Sequence, residues 1–310
     1  MLLNLVKTRY LDLPIYLDVA QIVSGYSLET GITVFGQASP QSRRGDTFGG
    51  LSANGTYIDR PTITYTPLTG EKFLQNFLTP VNPVKIFSLV QAGYAADFIL
   101  ELTVDSFNGL HNRPVSIDSQ EQADPEFFRV VKLLREIEDA GAFGMRIEQP
   151  TGGQPATILF FRSEKLAPGI AEKIEEARAL LGLTPGRSAF KLVQSTVRGS
   201  AEELSVASRS LAQMMAALAQ GVDVPSSHQQ RRWARPISGS PRGQNLLLHV
   251  YSGSKEPPGV YAAVTYEGEW FWIANDDWKS KRTFSSLLFL FTLADTGGEQ
   301  KLPTITIPAQ

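Results

Sequence analysis

The chain has 310 residues, no cysteine, three histidines and a formal net charge of -2. The lack of cysteine excludes disulfides, thiolate metal sites and a cysteine nucleophile, and the near-neutral charge gives no electrostatic reason to bind nucleic acid or an anionic membrane surface. His111, His228 and His249 are far apart in the sequence, so we expect no metal site and no cofactor. No uncharged apolar run reaches about 18 residues, so we predict no membrane-spanning helix.

The first part of the chain predicts a helix followed by strands. "MLLNLVKTRY" has apolar residues near helical spacing, and residues 15–36 are rich in β-branched and aromatic side chains typical of one or two strands. Residues 37–55 are rich in glycine and serine and predict a long, mobile loop. Within it, Arg43, Arg44 and Phe48 are candidate binding residues. A strand within 56–68 and helices near 71–78 and 83–92 complete this region.

The middle of the chain gives the order strand, helix, strand, strand, helix, strand over residues 97–197. Its first strand, "DFILELTVDSF", alternates apolar and polar residues, and its first helix begins at Asp124 and Pro125, an N-cap and first-turn pair. This order is that of a ferredoxin-like βαββαβ unit, a four-stranded antiparallel sheet with two helices on one face. The predicted fold class is α+β, with additional sheet and helices from both chain ends.

The predicted organisation has three segments: 1–96, an N-terminal α+β segment; 97–197, the ferredoxin-like unit; and 198–310, a helix followed by a β-hairpin and a helix. In the last segment, Ser200 opens a capping box that predicts a helix as far as Gly221. Residues 222–244 predict a linker or long loop. The remaining predicted elements are strands within 245–251, 259–266 and 269–275, a hairpin turn at Glu267 and Gly268, a helix over 280–294 and a strand over 303–309.

The segment "EWFWIANDDWKSKRTFSSLLFLF" contains three of the four tryptophans. Trp270 and Trp272 share one face of a predicted strand, and Phe271 and Ile273 share the other. The strand is therefore covered on both faces, or one face meets a partner. Asn275, Asp276 and Asp277 are turn and capping types, so the next helix begins near Asp277 or Ser280.

Three cations occupy the predicted start of that helix: Lys279, Lys281 and Arg282. The helix dipole disfavours a cation there by about 0.3–1 kcal/mol. Pairing with Asp276 and Asp277 would offset this cost, and a bound small anion is the alternative. We favour a structural strand–turn–helix corner. The candidate binding residues of the segment are Trp270, Trp272, Asp276, Asp277, Lys279, Lys281 and Arg282.

No sequence motif indicates a catalytic site. The chain lacks a phosphate-binding glycine motif and a nucleophile elbow. The cluster of Arg231, Arg232 and Arg235 around Trp233 could stack on nucleic acid, but it is isolated, so we favour a solvated linker. We predict no catalytic residue.

Three stretches together resemble a family of uncharacterised bacterial envelope lipoproteins: "MLLNLVKTRYLDLPIYLDVAQIVSGYSLE", "DRPTITYTPLTGEKF" and "YEGEWFWIANDDWKSKRTFSSLLFLFTL". The resemblance implies a protein of the periplasm or outer membrane, anchored by a lipidated cysteine that would lie upstream of Met1 and is absent from this chain. It implies no catalytic residues. We therefore expect a non-enzymatic envelope protein that binds another protein or a surface component. The alternative is a hydrolase-like enzyme with its site near Asp276 and Asp277.

Overall fold

A computed structural model describes residues 1–23, 26–38, 47–59, 62–67, 71–115, 123–149, 156–162, 164, 166–234 and 246–294. The chain forms two compact units. Unit 1 consists of Met1–Pro14 and Thr69–Gly298, and unit 2 of Ile15–Leu68 and Glu299–Gln310. The predicted boundaries at 96/97 and 197/198 both fall inside unit 1. The final strand predicted at 303–309 lies outside the described residues.

Unit 2 contains two antiparallel strand pairs. The strands are β1 (Leu17–Val23), β2 (Tyr26–Ala38), β3 (Thr47–Asp59) and β4 (Thr62–Pro67), and they pair as β1 with β4 and β2 with β3. The predicted loop over 37–55 is therefore wrong for residues 37–38, which end β2, and for residues 47–55, which belong to β3. Gly50 lies opposite Phe35 and Gly55 opposite Thr30, and Phe48 is itself a strand residue. Arg43 and Arg44 lie outside the described residues.

The helices belong to unit 1, and most of them match the sequence pattern. They are α1 (Leu2–Arg9), α2 (Glu71–Leu78), α3 (Pro83–Gln91), α4 (Ala96–Thr103), α5 (Pro125–Asp139), α6 (Ile170–Leu181), α7 (Leu211–Ala219), α8 (Ser226–Gln230) and α9 (Trp278–Ala294). At the start of α5, Asp124 is the N-cap residue as predicted, but its carboxylate accepts a hydrogen bond from the backbone N–H of His111 at 2.7 Å instead of capping the helix.

A six-stranded mixed sheet lies at the centre of unit 1. Its strands are β5 (Val104–Phe107), β6 (Leu110–His111), β7 (Phe143–Glu148), β8 (Ala156–Phe161), β9 (Ala189–Gln194) and β10 (Glu203–Ser208). They follow the order β6-β5-β10-β9-β8-β7, and β9 and β10 run parallel. The mixed α+β class is confirmed. The ferredoxin-like unit is not, and the predicted four-stranded antiparallel sheet from 97–197 is wrong, because β10 from outside that range separates β5 from β9.

The strand predicted from "DFILELTVDSF" is a helix over most of its length. Residues 96–103 form α4, and only Val104–Phe107 are extended. Phe98, Ile99 and Leu100 are all at least 96% buried. A helix surrounded by apolar neighbours shows no clear 3.6-residue pattern, so a chance alternation of period two resembled a strand.

The helix predicted from Ser200 is also wrong over its first half. Residues 203–208 form β10, a central strand whose last five residues are all buried. The capping box of the structure lies ten residues later. Ser210 Oγ accepts from the N–H of Gln213 at 3.2 Å, and Gln213 Oε1 accepts from the N–H of Ser210 at 2.8 Å. A strand that is covered on both faces shows no alternation of apolar and polar residues. The sequence of β10 therefore gave no strand signal, and the capping box at Ser200 predicted a helix instead.

A second sheet of three strands lies near the end of unit 1. It consists of β11 (Tyr251–Gly253), β12 (Ala262–Tyr266) and β13 (Glu269–Ile273), with β13 in the middle. The two-residue hairpin at Glu267 and Gly268 is confirmed, since both residues have positive φ, 49° and 82°. Of the described residues in the strand predicted over 245–251, only Tyr251 belongs to β11, so that prediction is wrong for most of its length. Before β11, Val250 forms an isolated parallel bridge with Val222.

The N-terminal helix packs on this second sheet through an aromatic cluster. Tyr10, which follows α1, shares a 2.7 Å hydrogen bond with Nδ1 of the buried His228 in α8. Its ring also packs edge-on against Tyr266 and Phe271. Burial raises the pKa of Tyr10 to about 12. The linker predicted over 222–244 is thus wrong for α8, and residues 235–244 lie outside the described residues.

Candidate functional site

The two faces of the second sheet differ in the way that the sequence predicted. Phe271 and Ile273 are fully buried on the inner face and join the core of unit 1. Trp270 and Trp272 point to the other face and are only partly buried. The alternation of β13 therefore separates a core-facing side from a side that retains contact with solvent.

The outer face holds large aromatic rings beside small residues. Trp272 lies opposite Tyr251 and Ala263, and Trp270 lies opposite Gly253 and Thr265. We call these six residues the outer face. Tyr251 stands on one side of Trp272 and the small Ala263 on the other, so the indole is only partly enclosed by the sheet.

Trp272 is held in place by β11. The ring of Tyr251 stacks on it with centroids 5.9 Å apart and an angle of 19° between the planes. A Cβ atom added to Gly253 would lie 3.3 Å from the same indole, so the ring covers the glycine closely. The outer face thus presents a fixed aromatic surface.

Acidic groups surround Tyr251 at the edge of the outer face. The carboxylates of Asp277, Asp276 and Asp223 add to partial burial in raising the pKa of the Tyr251 phenol. His249 packs on Tyr251 with ring centroids 4.0 Å apart, and its Nε2 lies 3.1 Å from Oδ2 of Asp223. Tyr251 consequently stays protonated and can donate a hydrogen bond. Sequence analysis missed Tyr251, although it closes the apolar run "NLLLHVY".

An open groove of about 560 Å³ runs beside Trp272. It is lined by Lys255, Pro257, Pro258, Gly259, Val260, Trp272, Ala274, Asn275 and Asp276. Within the part of the chain that the structure describes, the Lys255 ammonium and the Asp276 carboxylate form no ion pair or side-chain hydrogen bond. The groove therefore combines an aromatic wall with a donor and an acceptor that are open to a ligand.

Asp277 caps α9, as its residue type predicted. Its Oδ1 accepts from the N–H of Ser280 at 3.0 Å, and its Oδ2 accepts from the Ser280 hydroxyl at 2.6 Å. Ser280 Oγ in turn accepts from the N–H of His249 at 2.8 Å, and the Thr283 hydroxyl donates to the carbonyl of Leu247 at 2.7 Å. These bonds fix the start of α9 against the segment that leads into β11.

The three cations of the corner each have a local interaction. Lys281 Nζ donates to the backbone and side-chain oxygens of Asn275 at 3.1 and 3.0 Å. The Arg282 guanidinium lies 4.3 Å from the ring centre of Phe98. Burial lowers the pKa of Lys279, while the carboxylate of Glu101 opposes that effect. The cations are thus accommodated by different neighbours, and the alternative of a bound small anion stays a prediction.

Removal of the cap should weaken the corner measurably. We expect Asp277→Ala to lower the free energy of unfolding by about 1 kcal/mol, the usual contribution of a side-chain N-cap. Urea unfolding followed by circular dichroism checks this value. Asp276→Ala is the matched control, since that carboxylate caps nothing, and equal losses in the two variants would contradict the assignment of Asp277.

A second charged cluster lies between α4, β5 and the residue after β10. The Arg209 side chain is 3% exposed, and its guanidinium donates to the carbonyl of Arg113 at 2.5 Å and to the carbonyl of Glu101 at 3.3 Å. Burial raises the pKa of Glu101, and the nearby Arg113 opposes this. The adjoining cleft of about 30 Å³ has room for roughly one water molecule. We therefore assign the cluster a structural role. Sequence spacing offered no signal for it, because Arg209 lies 96 to 108 positions from its partners.

The described residues contain no group of three or more His, Asp or Glu side chains placed to hold a metal ion. No helix in the described ranges is long and apolar enough to cross a membrane.

The Arg231 guanidinium lies 4.8 Å from the ring centre of Trp233, which packs on His228, so this part of the basic cluster is engaged locally.

Comparison with known proteins found no matching family model, no matching curated protein and no matching solved structure.

Proposed function

We propose that the chain is a non-enzymatic protein of the bacterial cell envelope that binds another protein or a surface component on the outer face of the second sheet. The observation that carries the proposal is the pair Trp270 and Trp272, partly exposed on one face of the sheet beside Tyr251 and three small residues. The envelope location rests on the resemblance of three sequence stretches to envelope lipoproteins.

The chemistry of the outer face suits binding. Tryptophan and tyrosine provide large, rigid contact areas, and they dominate the energetics of recognition surfaces. Stacking on Tyr251 holds Trp272 before a partner arrives, which lowers the entropy cost of association. A partner would therefore meet a preformed surface.

The hydrolase-like alternative at Asp276 and Asp277 has less support. Acid–base catalysis requires at least two convergent ionisable groups that are available to a substrate. Both carboxylate oxygens of Asp277 already accept hydrogen bonds from Ser280. Asp276 is then the only carboxylate of the pair that is free to act, which favours binding over hydrolysis.

Co-sedimentation with purified envelope fractions tests the proposal. We expect the wild-type chain to bind, and Trp272→Ala to weaken binding by about tenfold or more, as for a central aromatic contact. Thr265→Arg places a charge at an exposed position of the outer face and should have the same effect without altering the core.

Trp233→Ala is the matched control for these variants. Trp233 is 40% exposed but approaches the sheet from the inner side, through His228 and Tyr10. Its loss should leave binding unchanged. If Trp272→Ala and Thr265→Arg bind the envelope fraction as well as this control does, the outer face is not the binding surface.

A further inference from the structure

We infer that the groove beside Trp272 binds a hexopyranose unit of a glycan, so that the surface component of the proposed function is a polysaccharide. The inference rests on the proposed function and specifies its ligand class. Three features of the groove carry it: a fixed indole wall, a rim with both donors and acceptors, and dimensions that suit a sugar ring.

The wall matches the apolar face of a pyranose. The C–H groups on one face of such a ring pack on an aromatic surface through dispersion and weak C–H contacts. Trp272 supplies that surface, and it is oriented by stacking on Tyr251 and by its close approach to Gly253. The indole also lines the groove, so part of it is open to a ligand.

The rim matches sugar hydroxyls, which both donate and accept hydrogen bonds. Lys255 offers an ammonium donor and Asp276 a carboxylate acceptor, and both line the groove without a partner among the described residues. Asn275 adds a second donor. Its carbonyl oxygen accepts from Lys281, which orients the carboxamide, while its nitrogen hydrogen-bonds to none of the described residues.

The same rim argues against other ligands that could stack on an indole. A proline-rich peptide has few N–H donors, so it would leave the Asp276 carboxylate without a donor as it covers it, at a cost in free energy. A small anion would be repelled by Asp276. A polyol satisfies the ammonium and the carboxylate together.

The size and openness of the groove also fit a glycan chain. Its volume of about 560 Å³ lies within the range of roughly 300–1,000 Å³ that is usual for small-ligand sites. Because the groove is open at the surface, one ring can occupy it while the chain continues on either side.

Treatment of the envelope fraction distinguishes a glycan ligand from a protein ligand. Periodate cleaves vicinal diols, which 4-linked glucose rings contain; 4-linked N-acetylglucosamine rings lack them and are cleaved instead by a muramidase or chitinase, while protease digests proteins. We expect binding to the envelope fraction to be lost after periodate or glycosidase treatment and retained after protease treatment. Binding that resists both periodate and glycosidase but is lost after protease would overturn the glycan inference and leave the proposed function intact.

Direct titration provides the second measurement. Oligosaccharides of β-linked glucose, α-linked glucose and N-acetylglucosamine are added to the whole chain, and tryptophan fluorescence is recorded. We expect at least one to bind, Trp272→Ala to weaken it by about tenfold or more, and Asp276→Asn to weaken it severalfold with the melting temperature unchanged.

Three outcomes of the titration count against the glycan. If no oligosaccharide binds, or if Trp272→Ala binds as well as the wild type, the groove is not a sugar site. If a proline-rich peptide binds in place of the sugars, the groove is a peptide site. If any of these results is obtained but Thr265→Arg no longer binds the envelope fraction, the outer face is still supported as a binding surface. If Thr265→Arg binds the envelope fraction as the wild type does, both proposals are wrong.

Discussion

We expect Arg209→Met to lower the free energy of unfolding by about 2–4 kcal/mol, the cost of losing charged hydrogen bonds from a buried site. Methionine preserves much of the side-chain volume but leaves the carbonyl of Arg113 without its 2.5 Å donor. It also removes the 3.5 Å contact between Nε and the Asp105 carboxylate. Thermal and urea unfolding of the variant measure the loss.

The location of Arg209 explains why the effect should be large. Its backbone N–H donates to the carbonyl of Thr103 at 2.7 Å, and its carbonyl accepts from the N–H of Val81 at 3.1 Å. The side chain then reaches the segment around Arg113. These backbone bonds fix the position of the residue, and its side chain joins α4, through the carbonyl of Glu101, to the segment around Arg113 and to Asp105 in β5. Truncation of the side chain breaks these last connections.

Arg129→Met is the matched control for Arg209→Met. Arg129 forms a bidentate pair with Glu176 at 2.6 and 2.7 Å, but both side chains are exposed. Exposed pairs contribute little because water screens them, so stability should hardly change. If both variants lose a similar free energy of unfolding, burial does not determine how much an arginine contributes to the stability of this protein.

The sequence predicted the elements whose burial is one-sided. α5 was predictable because Phe127, Val130 and Leu134 form a stripe that packs on the core while the opposite side stays polar. The faces of β13 were predictable for the same reason. The elements α4 and β10 were not, because they are buried on more than one side, which removes the periodicity that distinguishes a helix from a strand.

The candidate site was predictable only in part. Trp272 and Asp276 lie in one short segment, so their proximity followed from local structure. Lys255 and Tyr251 join them only because β11 pairs with β13 across about 20 residues of chain, and single-sequence spacing carries no signal for strand pairing over such a distance. Arg43 and Arg44 lie outside the described residues, so their predicted role stays a prediction.

The pairing of β11 depends on a close backbone approach at Gly221. A Cβ atom added there would lie 1.9 Å from the carbonyl oxygen of Leu248, and neither backbone can move freely. The N–H of Val250 donates to the Gly221 carbonyl at 2.9 Å, and the N–H of Asp223 donates to the Val250 carbonyl at 2.9 Å. Any side chain at position 221 must push these segments apart.

We therefore expect Gly221→Ala to lower the free energy of unfolding by about 1–3 kcal/mol through overpacking, with a further loss for each of the two hydrogen bonds that breaks. Displacement of Val250 would carry Tyr251 away from Trp272, so the tryptophan emission of the folded variant should shift and binding to the envelope fraction should weaken. Gly199→Ala is the control, because the atom nearest its added Cβ is Oε2 of the flexible Glu203 side chain, and the next, Ser205 Oγ, is 3.4 Å away. If Gly221→Ala matches that control in urea unfolding and in emission, the 221–250 contact does not position the outer face.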